Sequence, residues 1–340
     1  MKYTVLHCNI DIIHLSILNE TNLIITSVLL LISTIIFIAL TFYYLDLKRS
    51  KFLYKENLQK LLNDWVGHIL IHHSEKNKEF ENIQKALKKI VKNKASHQFI
   101  ISELIKLKKS FAGDAALRIV QLYEELQLLK VSLKKIQSKK WHLIAQGIQE
   151  LHQMNQIQYI PLLESFADHT NEFIRNESQV GLINLKGMQG LLFLNHSKQI
   201  LTDWHQMKLL NQMSNMAFED MGNMHDWLQS KNNSVIVFAL RIVEVYQLHH
   251  FYNQVKKCLH HHNDKVTKQA ILTIIKISNE NTVFDMFEIF PQKNIASKIL
   301  ILDSVKIIST ENHKTIYKPL LRSENEDVRI KALQLLNLAS

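Results

Sequence analysis

Hydrophobic positions in this chain follow one pattern up to residue 45 and another after it. From Leu23 to Leu45 the sequence LIITSVLLLISTIIFIALTFYYL runs for 23 residues without a charge. Its polar residues, Thr26, Ser27, Ser33, Thr34 and Thr41, are all of a kind that bonds back to its own helix. At ~1.5 Å per residue the run reaches roughly 34 Å, enough to cross a hydrocarbon core of about 30 Å with some tilt. The pattern predicts a transmembrane helix over 23–45. A cleaved secretory signal fits less well, because the run is too long, no small-x-small site follows it, and the positive charge lies after it.

Beyond residue 45 the period becomes three to four. Leu58, Leu61, Leu62, Trp65, Ile69 and Leu70 form one such series, Phe80, Ile83, Ala86, Leu87 and Ile90 a second, and Phe99, Ile100, Leu104 and Ile105 a third. These predict amphipathic helices with lysine on the wet face over a basic juxtamembrane region, residues 46–109. Lys48, Arg49, Lys51 and Lys55 follow the apolar run directly, whereas Lys2 faces Asp11 and Glu20 ahead of it. The positive-inside rule then makes residues 1–22 a short extracytoplasmic tail and places the rest in the cytoplasm, as a single-pass protein of the inner membrane. Tyr43, Tyr44 and Tyr54 suit the inner interface.

From about residue 110 to 340 a repeat takes over. Asn171, Ile174 and Ser178 share their spacing with Asn232, Val235 and Ala239, with Asn263, Val266 and Ala270, and with Asn325, Val328 and Ala332. The asparagines are 61, 31 and 62 residues apart, so the unit is about 31 residues. Asn294 and Thr202 fill the gaps at the same interval, and Ser138, with Trp141 and Ala145, and then Ser110 extend the series backwards. An Asn, Ser or Thr ahead of an apolar helical run is a preferred N-cap. The aliphatic and small positions stack on one face, where the small one admits a neighbouring helix. Tyr-x-Pro-Leu-Leu-x-Ser occurs at both 159–165 and 317–323, with proline in the first turn of a preceding helix. Only 7 glycines and 3 prolines serve 340 residues, which excludes the turn-rich Rossmann, barrel and sandwich architectures and argues for an all-α chain.

These residues resemble the HEAT repeat family, relatives of the armadillo repeats. IRNESQVGLINL (174–185) is similar to the family's Val-Arg-x-Glu-Ala-Gln-x-Ala-Leu helix through Arg175, Glu177 and Gln179, and VRIKALQLLNLA (328–339) through Val328, Arg329, Ala332 and Leu333. The family's inter-helix aspartate is present only at Asp264 and Asp327, so other turns must be capped differently. The resemblance implies an α-solenoid of antiparallel helix pairs that binds other macromolecules. Arg175 and Arg329 are expected to be structural residues between repeats.

Charge and candidate chemistry narrow the function. Between residues 48 and 140, Lys and Arg outnumber Asp and Glu by 21 to 9, while the rest of the chain is close to neutral. That concentration suits anionic lipid headgroups beside the membrane; nucleic acid is the alternative, since charge alone does not separate the two phosphates. The span carries no Asp, Glu, Lys, Arg or His, which gives no sign of a proton path. Cys8 and Cys258 would lie on opposite sides of the membrane, so they are not expected to pair. His260, His261 and His262 fall where an inter-helix turn is expected and read as turn residues, without a metal-ligand spacing. LKGMQGLLFL (185–194) reads as a helix end and a turn, not a phosphate loop. No catalytic, cofactor, metal or small-molecule site is inferred. The expected function is a non-enzymatic, membrane-tethered scaffold whose solenoid holds a protein partner, whether a membrane enzyme, a transport complex or a cytosolic regulator. The alternative is a nucleic-acid-binding protein that uses the basic 48–140 region.

Overall fold

The computed structural model describes residues 20–71, 78–219, 222–310 and 313–338. Cys8 and most of the expected tail lie outside the described residues. Among the described residues every regular element is helical. The chain divides into two compact units, Met1–Leu117 and Arg118–Ser340.

The first unit is built on α1 (Glu20–Ile71), a single helix of 52 residues. The apolar run and the basic stretch after it are one uninterrupted rod. Its hydroxyls bond inward, Thr26 to the Leu23 carbonyl at 3.0 Å, Ser27 to Ile24 at 2.9 Å and Thr41 to Phe37 at 2.8 Å. Every residue from 22 to 57 is exposed, and Leu58 is the first buried one. From there α1 packs against α2 (Lys78–Val91) and α3 (His97–Ser110). Leu58, Leu62, Trp65 and Val66 on α1 are buried, as are Leu87 on α2 and Ile100, Ile101 and Leu104 on α3. Ser110 does not open a repeat: it closes α3, its hydroxyl donating to the Lys106 carbonyl. The next helix, α4 (Gly113–Glu125), starts only after Gly113, whose φ of +60° ends the preceding segment.

Seven pairs of short helical segments fill the second unit from residue 128 onwards among the described residues. The first members are α5 (Leu128–Ile136), α7 (Ile160–Phe166), a 3-10 helix Gly187–His196, α10 (Met224–Leu228), α12 (Tyr252–Leu259), α14 (Thr282–Ile289) and α16 (Lys314–Tyr317), which runs on into a 3-10 turn. The second members are α6 (Trp141–Gln153), α8 (Glu172–Lys186), α9 (Asp203–Met213), α11 (Asn233–Val245), α13 (Asp264–Lys276), α15 (Ile295–Val305) and α17 (Glu326–Leu338). Second members stack on one another along the array, α6 on α8, α8 on α9, α11 on α13, α13 on α15 and α15 on α17. Pro161 and Pro319 both sit in the first turn of their segments.

The 187–196 segment corrects the reading of a helix end and a turn. Gly187, at φ +63°, ends α8, and the chain then winds into a ten-residue 3-10 helix that takes the place of a first member. Gly190 makes this close approach possible, because a Cβ there would meet the Leu182 carbonyl at 2.5 Å.

Candidate protein-docking surface

The helix starts that position the surface are fixed by short polar side chains. Asn171 accepts from the Phe173 and Ile174 amides at 3.1 and 3.3 Å, and Asn263 from Lys265 and Val266 at 3.0 and 3.4 Å. Asn294 takes the Ser297 amide, Asn325 the Val328 amide, Asn232 the Ser234 amide and Thr202 the His205 amide. Each satisfies one or two of the helix's orphan donors. Three residues beyond the cap, Ile174, Val235, Val266 and Val328 are buried; four further on, Ser178, Ala239, Ala270 and Ala332 are fully so.

The first pair departs from the expected register. Ser138 is not the cap: its hydroxyl accepts from the Lys140 amide at 3.1 Å, and α6 begins at Trp141. The aliphatic and small positions are therefore Leu143 and Gly147, in place of Trp141, which is exposed, and Ala145. Ser138 belongs to a second device, a side chain two residues ahead of the cap that accepts the cap's own amide. His169 does this for Asn171 at 3.0 Å, Ser230 for Asn232 at 3.2 Å and His261 for Asn263 at 3.0 Å. The middle histidine of the 260–262 cluster is thus a turn acceptor. Among the described residues no group of His, Cys, Asp or Glu could hold a metal ion.

Four residues beyond the cap the side chain folds back on the turn. Arg175 donates from Nη1 to the His169 and Thr170 carbonyls at 2.6 and 3.2 Å, and Arg329 to the Ser323 and Glu324 carbonyls at 2.8 and 3.0 Å. Thr267 reaches the His261 carbonyl at 2.9 Å, and Gln206 the Leu201 carbonyl at 3.0 Å.

A polar ladder that the sequence did not announce joins neighbouring helices along the array. Tyr123 donates to Ser132 at 2.7 Å and Ser132 to Glu150 at 2.6 Å, with Lys135 on the other carboxylate oxygen. Gln212 bonds Asn184, Asn184 donates to Nδ1 of His152, and His152 Nε2 meets Glu177 at 2.9 Å. Lys208 completes this set at 3.2 Å from Glu177. Burial pushes the Glu177 carboxyl up, but the hydrogen bond from His152 and the charge and bond of Lys208 outweigh it and hold it below the usual carboxylate range. His205 donates from Nε2 to Gln179 at 2.6 Å, while its Nδ1 is buried without a partner. Burial first, then the charges of Lys208 and Arg175, bring its pKa down to about 4. Arg241 ties three units together, reaching Asp203 at 2.8 Å, Gln206 at 2.9 Å and Gln269 at 3.2 Å.

Exposed apolar side chains lie on the same helices and in the loop before α9. Trp141 and Phe173, in adjacent units, stack with ring centroids 4.6 Å apart. In the next unit Ile200, Trp204 and Met207 are 71%, 69% and 60% exposed, and the Lys208 ammonium lies 5.8 Å from the Trp204 ring. Trp65 and Trp227, by contrast, are core residues. Ile200 also lines a groove of about 1230 Å3 at the cap end of α9, α11 and α13, together with Lys198, Asn232, Asn263 and Lys265. Its walls offer amide, hydroxyl and ammonium donors beside an apolar ledge. Lys48, Arg49, Lys51 and Lys55 belong to the first unit, on the exposed part of α1.

No protein-family model and no curated protein matches the sequence. Solved structures similar to this chain include human deoxyhypusine hydroxylase in complex with glycerol (13% identity, 73% of this chain and 98% of that one, TM-score 0.30). The designed armadillo repeat protein YIII(Dq)4CqI is 13% identical over 82% of this chain and 99% of its own, at a TM-score of 0.23. The complex of CpcE and CpcF of phycocyanin lyase from Nostoc sp. PCC7120 is 10% identical over 81% and 93%, at 0.23. Likeness at these TM-scores carries no inference about activity, and the repeat architecture rests on the caps, burial and packing above.

Proposed function

We propose that this chain is a membrane-tethered, non-enzymatic scaffold: α1 anchors it in the inner membrane with residues 1–22 outside, and the helical repeats bind a protein partner on the cytoplasmic side. The row of Trp141, Phe173, Ile200, Trp204 and Met207 carries this reading. Five large apolar side chains left exposed across three successive units, rimmed by polar groups, mark an interaction site better than a solvated face. The groove's lysines Lys198, Lys231 and Lys265 favour a partner segment that adds carboxylates to its apolar contacts. The acid–base groups of this unit are engaged in the ladder between helices, which supports a structural role for them over catalysis. Support for the anchor is the length of α1 and its most apolar 18-residue stretch, which has a mean hydropathy of 2.9 and no buried residue. Tethering raises the effective concentration of whatever the repeats hold.

The test is to fractionate the full-length chain and a variant lacking residues 1–57. The full chain should resist alkaline extraction from membranes, and the shortened chain should be soluble and retain the same partner. A shortened chain that folds but captures nothing would remove the scaffold reading.

A further inference from the structure

The first unit turns its most basic segment back along α1. α1 ends at Ile71 and α2 begins at Lys78, and Phe99 at the start of α3 lies under the Lys55 ammonium, 5.5 Å from ring centroid to Nζ. Leu87 on α2 and Ile100, Ile101 and Leu104 on α3 close the core against Leu58, Leu62 and Trp65. The tip between α2 and α3 is therefore level with Lys55, ten residues past the end of the apolar run, or ~15 Å along the helix. Its backbone is fixed. Asn93 accepts from the Ala95 amide at 3.1 Å, Ser96 donates to the Asn93 and Ile90 carbonyls, and His97 bonds the Val91 carbonyl at 2.7 Å.

No Asp or Glu occurs between residues 82 and 102, while Lys88, Lys89, Lys92 and Lys94 all fall at or beside this tip and all are exposed. Exposed Phe52 and Leu53 extend the apolar side of α1 past Lys48, Arg49 and Lys51, so apolar and cationic groups are interleaved at headgroup depth.

We propose that the α2–α3 tip is a second membrane contact, in which Lys88, Lys89, Lys92 and Lys94 join Lys48, Arg49, Lys51 and Lys55 in one anionic-lipid-binding surface. This rests on the reading of α1 as the anchor. A bilayer is favoured over nucleic acid because the apolar run meets this lysine cluster at one end of the same helix, which brings the tip to a phosphate surface without further binding energy. The cost of ordering the tip is met within the folded unit, so the contact holds the base of α1 at a fixed depth and tilt.

The full-length chain with Cys8→Ser and Ala95→Cys, labelled at residue 95 with an environment-sensitive dye, is reconstituted into vesicles containing a headgroup-spin-labelled lipid. Cys258 is buried and its thiol is pushed up to about 11, so it stays unlabelled. Quenching should be at least about threefold stronger when phosphatidylglycerol is added to phosphatidylcholine. It should weaken at high salt and return to the phosphatidylcholine level when the four tip lysines are replaced by glutamine. A chain that resists alkaline extraction yet shows the same weak quenching in both vesicles overturns this inference and leaves the anchor standing. A chain released at alkaline pH overturns both. Displacement of the tip from anionic vesicles by duplex DNA at equal phosphate concentration would assign the surface to nucleic acid instead.

Discussion

Arg175 and Arg329 lie five repeat units apart and make the same pair of bonds, each closing the turn before its helix through the carbonyls six and five residues earlier. The sequence suggests residues that join one repeat to the next; the bonds instead lie within one unit, where each guanidinium ties the turn to the start of the helix that follows it. Arg175→Ala is expected to cost about 1–3 kcal/mol by leaving carbonyls short of a donor, and Arg329→Ala less, because its turn is more open to water. Urea denaturation of each variant checks the order. Equal losses, or none, would mean that water replaces the guanidinium at both sites.

Gly147 sets two effects against each other. Alanine is the better helix former by ~1 kcal/mol. At this position, however, a Cβ would lie 2.7 Å from the Ser132 carbonyl and 2.6 Å from Ile136 Cγ1. Gly147→Ala is therefore expected to destabilise by about 1–3 kcal/mol through overpacking between α5 and α6. A rise in melting temperature would show that α5 yields freely.

His205 gives the second unit an acid limb. Its folded pKa is about 4 against an ordinary value of 6.5. Between those values the unfolded chain binds a proton that the folded chain refuses, so stability falls as pH drops from ~6.5 to ~4, by up to ~3 kcal/mol. His205→Leu should flatten that limb, while lowering stability at neutral pH because Gln179 loses its donor. Denaturant midpoints at pH 5 and pH 7 are the measurement; an unchanged difference between them in the variant would assign the limb to another group.

Glu177 joins His152 of one unit to Lys208 of another. Removing it leaves two buried or half-buried donors unsatisfied. Glu177→Gln keeps the shape and one acceptor and is expected to cost less than Glu177→Ala, which should lose about 1–3 kcal/mol. Equal losses for the two would mean that the charge, not the bond, holds the ladder.

Repeat length and the asparagine caps are legible in the sequence because an N-cap is a local device, readable from a few residues. The register of the first pair misleads for the same reason. Ser138 looks like a cap by type, yet counting 31 back from Asn171 reaches Lys140, the N-cap position of α6. Period outweighs residue preference there, and Gly147, unremarkable alone, falls at the small position. The ladder of Glu150, His152, Glu177, Gln179 and Arg241 was hidden because its partners are mostly 18 to 38 residues apart and each looks like an ordinary polar helix residue. The 187–196 segment reads as a turn because a ten-residue 3-10 helix has no sequence period as strong as 3.6.

The central claim is that the exposed apolar row holds one protein partner at the membrane. A photo-crosslinking residue in place of Met207, in the full-length chain within its native membranes, addresses it directly. The account predicts one discrete adduct, lost when Phe173 and Trp204 are both replaced by glutamate and absent when the probe replaces Lys257 on α12. No adduct at position 207, or the same adducts from both positions, would contradict it.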